Sequence, residues 1–394
     1  MKCKVIGIGA AGNKAAINLI EKGVISEQNV KLINSTLRDI PEGYRQLAVK
    51  LSDDIRGGCG KERNLAKDLS IKGIQSGSLE LDSIMDPDDD LVIIVNSSEG
   101  GTGCGASSII AKYMKQVVGV NVHCFVFTGF EEDSRGLQNT IEYFQDLEEG
   151  FTVEAISNKK FLDGNKNKLK AEKAANDEFA NRVQILLGQM IVDSEQNIDE
   201  TDLYKVSTTP GFMSIEHANL EKIKNVDNFN KVVTEMIDNS YSLDITDSSA
   251  KRLAVILNIS EKTRDYIDYG FEVIKDKFGT PFEVFTHVQY EGEDEYICLI
   301  ASGMHMPIDD VKQIYENYKL ESEKVNKNKD SFFSFASNMK SKEEDSMFNM
   351  MDEKESTTSS KEDFLNQFDV KEEKPKKKKT EVKVSKEEFL KNNY

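Results

Sequence analysis

Apolar residues gather in short, unbroken runs along this chain. KVIGIG at 4–9, VKLIN at 30–34, LVIIVN at 91–96 and VHCFVFT at 122–128 are rich in β-branched and aromatic residues. Runs of that length and composition read as strands buried on both faces. The predicted strands are Val5–Gly9, Val30–Asn34, Leu47–Leu51, Leu91–Asn96, Val122–Thr128 and Thr152–Ser157. Helical periodicity alternates with them over 12–23, 62–74, 105–117 and 135–147. The βαβα series predicts an α/β fold, a Rossmann-like parallel sheet covered by helices on both faces. Ligands of such sheets sit beyond the carboxyl ends of the strands.

From Lys168 to Val192 the pattern changes to one long helix of about seven turns, polar in its first half and apolar in its second. It is placed to bridge the sheet and the later strands. RLAVILNIS, PFEVFTHVQY and EYICLIASGM then read as three strands, with a helix over Thr263–Phe278. They predict a smaller α+β domain. After about residue 320 the chain turns polar, a composition that cannot bury enough apolar surface to offset ordering entropy. The predicted organisation is a sheet domain over 1–167, a central helix over 168–193, an α+β domain over 194–320 and a disordered tail over 321–394.

Three glycine clusters punctuate the sheet region: GIGAAG at 7–12, GGCGKE at 57–62 and EGGTGCGASS at 99–108. The last lies between a strand and a helix, a layout that holds phosphate on backbone N–H groups and a helix N-terminus. GIGAAG matches a dinucleotide motif, but Asn34 stands where an acid should meet the ribose, and the larger loop would have no task. No GxxxxGK[ST] motif occurs. Mere tight turns explain one cluster better than three. A mononucleotide held by several backbone loops explains all of them, with glycine allowing close approach and positive φ. Thr102, Ser107 and Ser108 add hydroxyls to the largest loop.

GGTGCGAS closely resembles the glycine signature of the tubulin/FtsZ GTPases. KVIGIGAAGN, LINSTLRDI and RGGCGKERNLAKD resemble the first three nucleotide loops of FtsZ, KAANDEF its central-helix motif and NIDETDL its acidic catalytic loop. The likeness runs in order over about residues 3–305. It implies a tubulin/FtsZ fold with a GTP-binding domain over 1–167 and a catalytic loop over 197–203. It also implies GTP/GDP as ligand, Mg²⁺ as companion ion, and a filament of copies joined head to tail. Gly9, Ala10, Ala11, Gly12, Asn13, Gly100, Gly101, Thr102, Gly103, Cys104, Gly105, Asp133, Arg135, Asn158 and Asn176 would contact the nucleotide, Asn176 its guanine. Asp199 and Asp202 from the next subunit would polarise the attacking water, supported by Asn197. Ala10 and Ala11 replace glycines, Glu172 replaces an aromatic, and Cys104 is unusual in its loop. These departures suggest a divergent branch, and plasmid and bacteriophage tubulins belong to the same superfamily. Filaments of this kind serve positioning, segregation or division. The alternative is a tubulin-like scaffold with little turnover; a dehydrogenase is a distant third.

Composition narrows the partners. The tail from Ser322 carries 16 Lys/Arg and 16 Asp/Glu, so the whole net charge of −18 belongs to residues 1–321. An acidic body is a poor binder of nucleic acid or anionic membrane. DNA or membrane contact is expected only at Lys376–Lys379. SKEDFL at 360–365 and SKEEFL at 385–390 are near copies, and SKEEDSMF at 341–348 is a looser third. Each of the first two sets an aromatic–aliphatic pair behind acids, a form suited to docking an adaptor. The start, MKCKVIGIGAAGNK, reads as a strand and loop rather than a leader. Five scattered cysteines without a CxxC pair point to a reducing, cytoplasmic setting and no zinc site.

Overall fold

The computed structural model describes residues 1–340 and 383–393, apart from 54–56, 149, 163–166, 193, 195–196, 221–222 and 293, with backbone alone over 325–340. The chain divides into two compact units, Met1–Lys319 with Lys383–Tyr394, and Leu320–Val382. The first carries the sheet. Its leading strands are β1 (Cys3–Ile8), β2 (Val30–Asn34), β3 (Ala48–Lys50), β4 (Leu91–Ser97), β5 (Asn121–Thr128) and β6 (Thr152–Ser157). All six pair in parallel, in the order β3-β2-β1-β4-β5-β6. The helices between them are α1 (Gly9–Glu21), α2 (Arg63–Ser76), α3 (Thr102–Tyr113) and α4 (Ser134–Asp146). After β6 come the short α5 (Asn158–Leu162) and the central α6 (Lys168–Leu186).

Alternation along each strand builds two apolar layers. Ile6 and Ile8 of β1 join Val92 and Ile94 of β4 beneath α2 and α3, where Leu69 and Ile109 meet them. Val5, Ile93 and Val95 face the opposite layer, with Leu19 of α1 and Phe179 and Val183 of α6. Strands sandwiched in this way have no polar face, which is why their sequences read as continuous runs. All five cysteines are free and buried.

The sheet continues through α7 (Glu200–Ser207) into β7 (Gly211–Asn219), which pairs in parallel with β6 over Thr152–Glu154. After α8 (Val226–Asp238) come β8 (Arg252–Asn258), α9 (Glu261–Arg264), α10 (Glu272–Phe278), β9 (Glu283–Gln289) and β10 (Tyr296–Met304). The ten-stranded order ends β6-β7-β10-β8-β9. β10 lies antiparallel between β7 and β8, and β9 parallel beside β8.

Several elements differ from the sequence expectation. The central helix stops at Leu186, six residues short of Val192, because the chain turns at Gly188 with φ +67°. The helix expected over Thr263–Phe278 is two pieces, broken where Phe271 takes φ +50° beside Gly270. β7 and α8 lie outside the expected elements. Two parts of the expected tail are helical: α11 (Ile308–Lys340) runs past residue 321, and α12 (Lys386–Asn393) closes the chain. SKEEDSMF, SKEDFL and Lys376–Lys379 lie outside the described residues. Among the described residues, no helix is long and apolar enough to cross a membrane.

Candidate functional site

The loops after the parallel strands converge at their carboxyl ends, as the topology dictates. The chain leaves β1 through Gly9, whose φ of +75° is the left-handed region that glycine enters freely. A Cβ there would stand 2.9 Å from the Gly103 nitrogen, so the first and third glycine clusters touch. A Cβ on Gly101 would stand 2.8 Å from the Lys61 nitrogen, which brings in the second cluster. Asn139 of α4 ties the last two together by donating to Lys61 O at 3.0 Å and Glu99 O at 3.2 Å. The hydroxyls of Ser35, just beyond β2, and Thr102 lie 3.1 Å apart. Thr102 opens α3, so its first N–H groups and positive dipole end face this junction.

Beside the junction is a cavity of ≈ 280 Å³, lined by residues from several successive loops and from α6. Ala10 and Ala11 come from the first turn of α1, Ser97 and Glu99 from the end of β4, and Gly129 and Phe130 from beyond β5. Asn158, Glu172 and Asn176 close the other side. Asn158 Oδ1 is buried without a hydrogen-bond partner, an acceptor waiting for a donor. The backbone of Asn176 is held by Asn18 Nδ2, which donates to its carbonyl at 2.9 Å.

Other sequence candidates have different settings. Gly12 serves packing, since a Cβ there would fall 2.0 Å from Val95 O of β4. Asn13 is buried and donates to Ile33 O at 3.3 Å. Gly105 lets α3 cross α2, where a Cβ would meet Arg63 O at 2.1 Å. Gly100 has open space around it. The Cys104 thiol faces inward and donates to Asn139 O at 3.3 Å; burial pushes its pKa up to about 11. Only the backbone of Cys104 is therefore available to a ligand at its helix end. Asn34 accepts from the Ser35 N–H at 2.9 Å, which accounts for an amide there without a ribose.

Charge around the loops is balanced. Lys61 pairs with Asp133, Arg135 with Glu62 at 2.8 Å, and Lys14 with Glu172 at 3.6 Å. Asp133 also caps α4 by accepting from Gly136 N at 2.8 Å. Burial opposes its ionisation, but the Lys61 ammonium and that N–H outweigh it and hold the carboxyl below its usual range. Lys14 and Glu99 are absent from the sequence candidates because neither matches a glycine-motif position. Glu99 lines the cavity with its carboxylate folded against Gly129 and Gly136, accepting from Glu131 N at 3.3 Å. Burial pushes its pKa up.

Asn197, Asp199 and Asp202 line no part of this cavity. Asp199 caps α7, accepting from Asp202 N at 2.8 Å, and Asp202 lies 3.4 Å from Lys205. Asn197 accepts from the Ser194 N–H at 2.8 Å. The i, i+3 spacing of the two acids sets both carboxylates at the exposed start of one helix.

No family model matches the chain. It is 23% identical over 313 residues to the cell division protein FtsZ of Mycoplasmopsis pulmonis, covering 76% of this chain and 77% of that protein. A GTPγS-bound protofilament of CetZ2 from Haloferax volcanii superposes with a TM-score of 0.66 at 18% identity, covering 83% of this chain and 100% of the other. A GTPγS-form protofilament of TubZ from Bacillus thuringiensis serovar israelensis gives 0.66 at 15% identity, over 83% and 94%.

Proposed function

We propose, from the tubulin/FtsZ-like fold and the order of the motifs, that the chain is a tubulin/FtsZ-superfamily GTPase that assembles head to tail and hydrolyses GTP between subunits. The observation that carries this reading is the division of the chemistry. Three glycine loops and a helix N-terminus meet beside the cavity, while the acids of NIDETDL lie elsewhere on the same chain. A cradle of backbone N–H groups binds phosphate without needing a side-chain cation. Two carboxylates in the same cradle would repel the phosphates. Supplied by a neighbouring copy, they orient water only after assembly.

In this reading Gly9, Gly101, Thr102 and Gly103 hold the phosphates, with Cys104 and Gly105 contributing backbone alone. Asn176 and Asn158 receive the base and ribose, and Asp133 and Arg135 form the rim. The donor set suits a nucleotide: Asn158 Oδ1 lacks a donor, and the glycine loops approach backbone to backbone where a Cβ on Gly9 or Gly101 would collide with main chain. Mg²⁺ needs only phosphate oxygens, waters and one or two carboxylates; Asp199 and Asp202 supply such carboxylates, and the ion would neutralise developing charge on phosphate oxygens. The GTPγS-bound state and protofilament form of the CetZ2 neighbour support both ligand and assembly.

Phosphate release against protein concentration tests the proposal. Specific activity should be near zero at high dilution and rise steeply at the onset of light scattering. Activity that stays constant across that range would place the whole site in one chain. Assembly with nucleotide but negligible release would leave the scaffold reading.

A further inference from the structure

The tail repeat and the far end of α3 together point to a peptide-docking groove. The last helix, α12, rests against α2 and the single π-helical turn Met114–Val118 that ends α3. Phe389 is wholly buried, and its ring meets Tyr113 edge to face at 5.2 Å. Val384 and Leu390 pack beside it against the same apolar layer. The approach is also polar. Val384 N donates to Gln116 O at 2.9 Å and Lys383 Nζ to Val118 O at 2.8 Å. Both acceptors belong to the π-helical turn, which leaves carbonyls outside the regular helical ladder. Gly119 keeps the path open, since a Cβ there would fall 1.9 Å from Lys383 Cε.

The motif carries its own helix start. Glu388 N donates to Ser385 Oγ at 3.1 Å, the S-x-x-E arrangement of a capping box. Val384 and Phe389 hold the two hydrophobic-staple positions around it. SKEEFL thus nucleates a short helix and presents one phenylalanine. SKEDFL at 360–365 repeats the sequence pattern: Ser360 at the position of Ser385, Asp363 at that of Glu388, then Phe364 and Leu365. It lacks the equivalents of Val384 and Lys383, having Ser359 and Thr358 instead. SKEEDSMF has the same first four residues but sets Asp345 at the phenylalanine position.

We propose that the groove formed by α2 and the π-helical end of α3 is a docking site for the S-K-E-[D/E]-F-L motif, with Ser360–Leu365 as its second ligand beside the terminal copy seated there. Each chain then carries one groove and two ligands for it. Exchange of the copies changes which point of the tail is pinned to the body. The inference is independent of what the cavity binds.

The test uses the full chain and two labelled peptides, residues 358–368 and 339–349. A variant carrying both Phe389→Ala and Phe364→Ala should free the groove, since neither copy tethered in the same chain can then fill it. The variant should bind the 358–368 peptide, and an unlabelled 383–394 peptide should displace it. The terminal peptide should bind about tenfold more tightly, reflecting partial burial of one extra valine. Wild-type chain should bind the 358–368 peptide at least tenfold more weakly than the variant, and the 339–349 peptide should bind neither. A second measurement guards against misfolding of the variant. With a photo-crosslinking phenylalanine analogue at position 389, the adduct to 109–118 should fall on adding the 358–368 peptide and not on adding 339–349. Equal binding to wild type and variant, equal binding of both peptides, or an adduct indifferent to competitor would each overturn the proposal.

Discussion

Gly9 and Gly103 meet backbone to backbone: a Cβ on Gly9 would lie 2.9 Å from the Gly103 nitrogen and 3.0 Å from its Cα. This contact joins the loops after β1 and β4, and two features of it exclude a side chain on Gly9. Gly9 has φ +75°, where an L-residue costs about 1–2 kcal/mol, and the colliding atoms are main chain that cannot swing away. Gly9→Ala should therefore lower stability by at least that amount and weaken GTP binding more than tenfold. Gly100→Ala is the control, since nothing lies within 4 Å of a Cβ there. It should leave the melting temperature within a degree or two. Thermal melts and titration with a fluorescent GTP analogue measure both effects. A Gly9→Ala chain that binds like wild type would detach the first loop from the phosphate cradle.

Arg182 and Glu154 form the other internal constraint. Both are fully buried, 2.5 Å apart, with Glu178 at 2.7 Å from the same guanidinium. Glu216 stands 3.7 Å away and accepts from Ser242 at 3.0 Å. The cluster joins α6 to β6 and β7 where these strands pair. Removing the guanidinium leaves buried carboxyl groups without their shared partner, so Arg182→Met should cost about 3–5 kcal/mol. Because α6 also carries Asn176, nucleotide affinity should fall in any fraction that folds. Denaturant melts check the cost; a loss below about 1 kcal/mol would mean that water or protonation replaces the guanidinium.

The same cluster predicts a pH effect with a definite sign. Burial pushes the Glu154 pKa from 4.5 up to about 8, reinforced by Glu216 and Glu178 and opposed by Arg182. The native state thus holds a proton that the unfolded chain releases near pH 4.5. Its stabilising contribution is full below that pH and is lost as pH rises toward about 8. His217, 3.0 Å from Glu178, has its pKa raised by that hydrogen bond and acts in the same direction. Glu154→Gln should flatten the decline in melting temperature between about pH 5 and 8. A variant curve parallel to wild type would assign the decline elsewhere.

These two buried arrangements explain what the sequence could disclose. The strands β1, β2, β4, β5 and β6 are legible because burial on both faces leaves no polar position to confuse the period. β7 is not, because Glu216 and His217 interrupt GFMSIEHAN; Arg182 and the serines make a buried Glu216 acceptable, and Glu178 pairs with His217. Gly188 and Phe271 end helices through positive φ, a backbone state that the surrounding apolar pattern does not encode. Of the site, the glycine loops are plain from composition. The seats of Glu99 and Lys14 depend on which loops meet, and Cys104 becomes intelligible only once its thiol is seen to face α4.

Glu99 gives the candidate cavity its own pH dependence. Its carboxylate lines the space where an anionic ligand is proposed, and burial raises its pKa while Glu131 N–H and Lys61 oppose the rise. Protonated, it does not repel phosphate; ionised, it does. GTP affinity should therefore weaken as pH climbs above the ordinary carboxylate range, and Glu99→Gln should remove that component. The phosphates of GTP titrate as well, so the quantity to compare is the ratio of variant to wild-type affinity. That ratio should grow with pH, and a constant ratio would place Glu99 away from the bound phosphates.

Asp199 and Asp202 can be separated by chemistry, although they sit on one helix start. Asp199 caps α7, and truncating a cap costs about 1 kcal/mol. Asp199→Ala would thus mix a folding defect with a catalytic one. Serine keeps the cap and removes the carboxylate, so Asp199→Ser isolates the chemical role. Asp202 donates only its N–H to that cap, and Asp202→Asn preserves shape and the helix. If the two acids orient water for a neighbouring subunit, both variants should bind GTP and polymerise, release phosphate at least a hundredfold more slowly, and form filaments that outlast those of wild type. Asp199→Ala should add a lower melting temperature to the same kinetic defect. Normal turnover in Asp202→Asn would reduce NIDETDL to a helix cap and return the search for the catalytic acid to Glu99 and the loops around it.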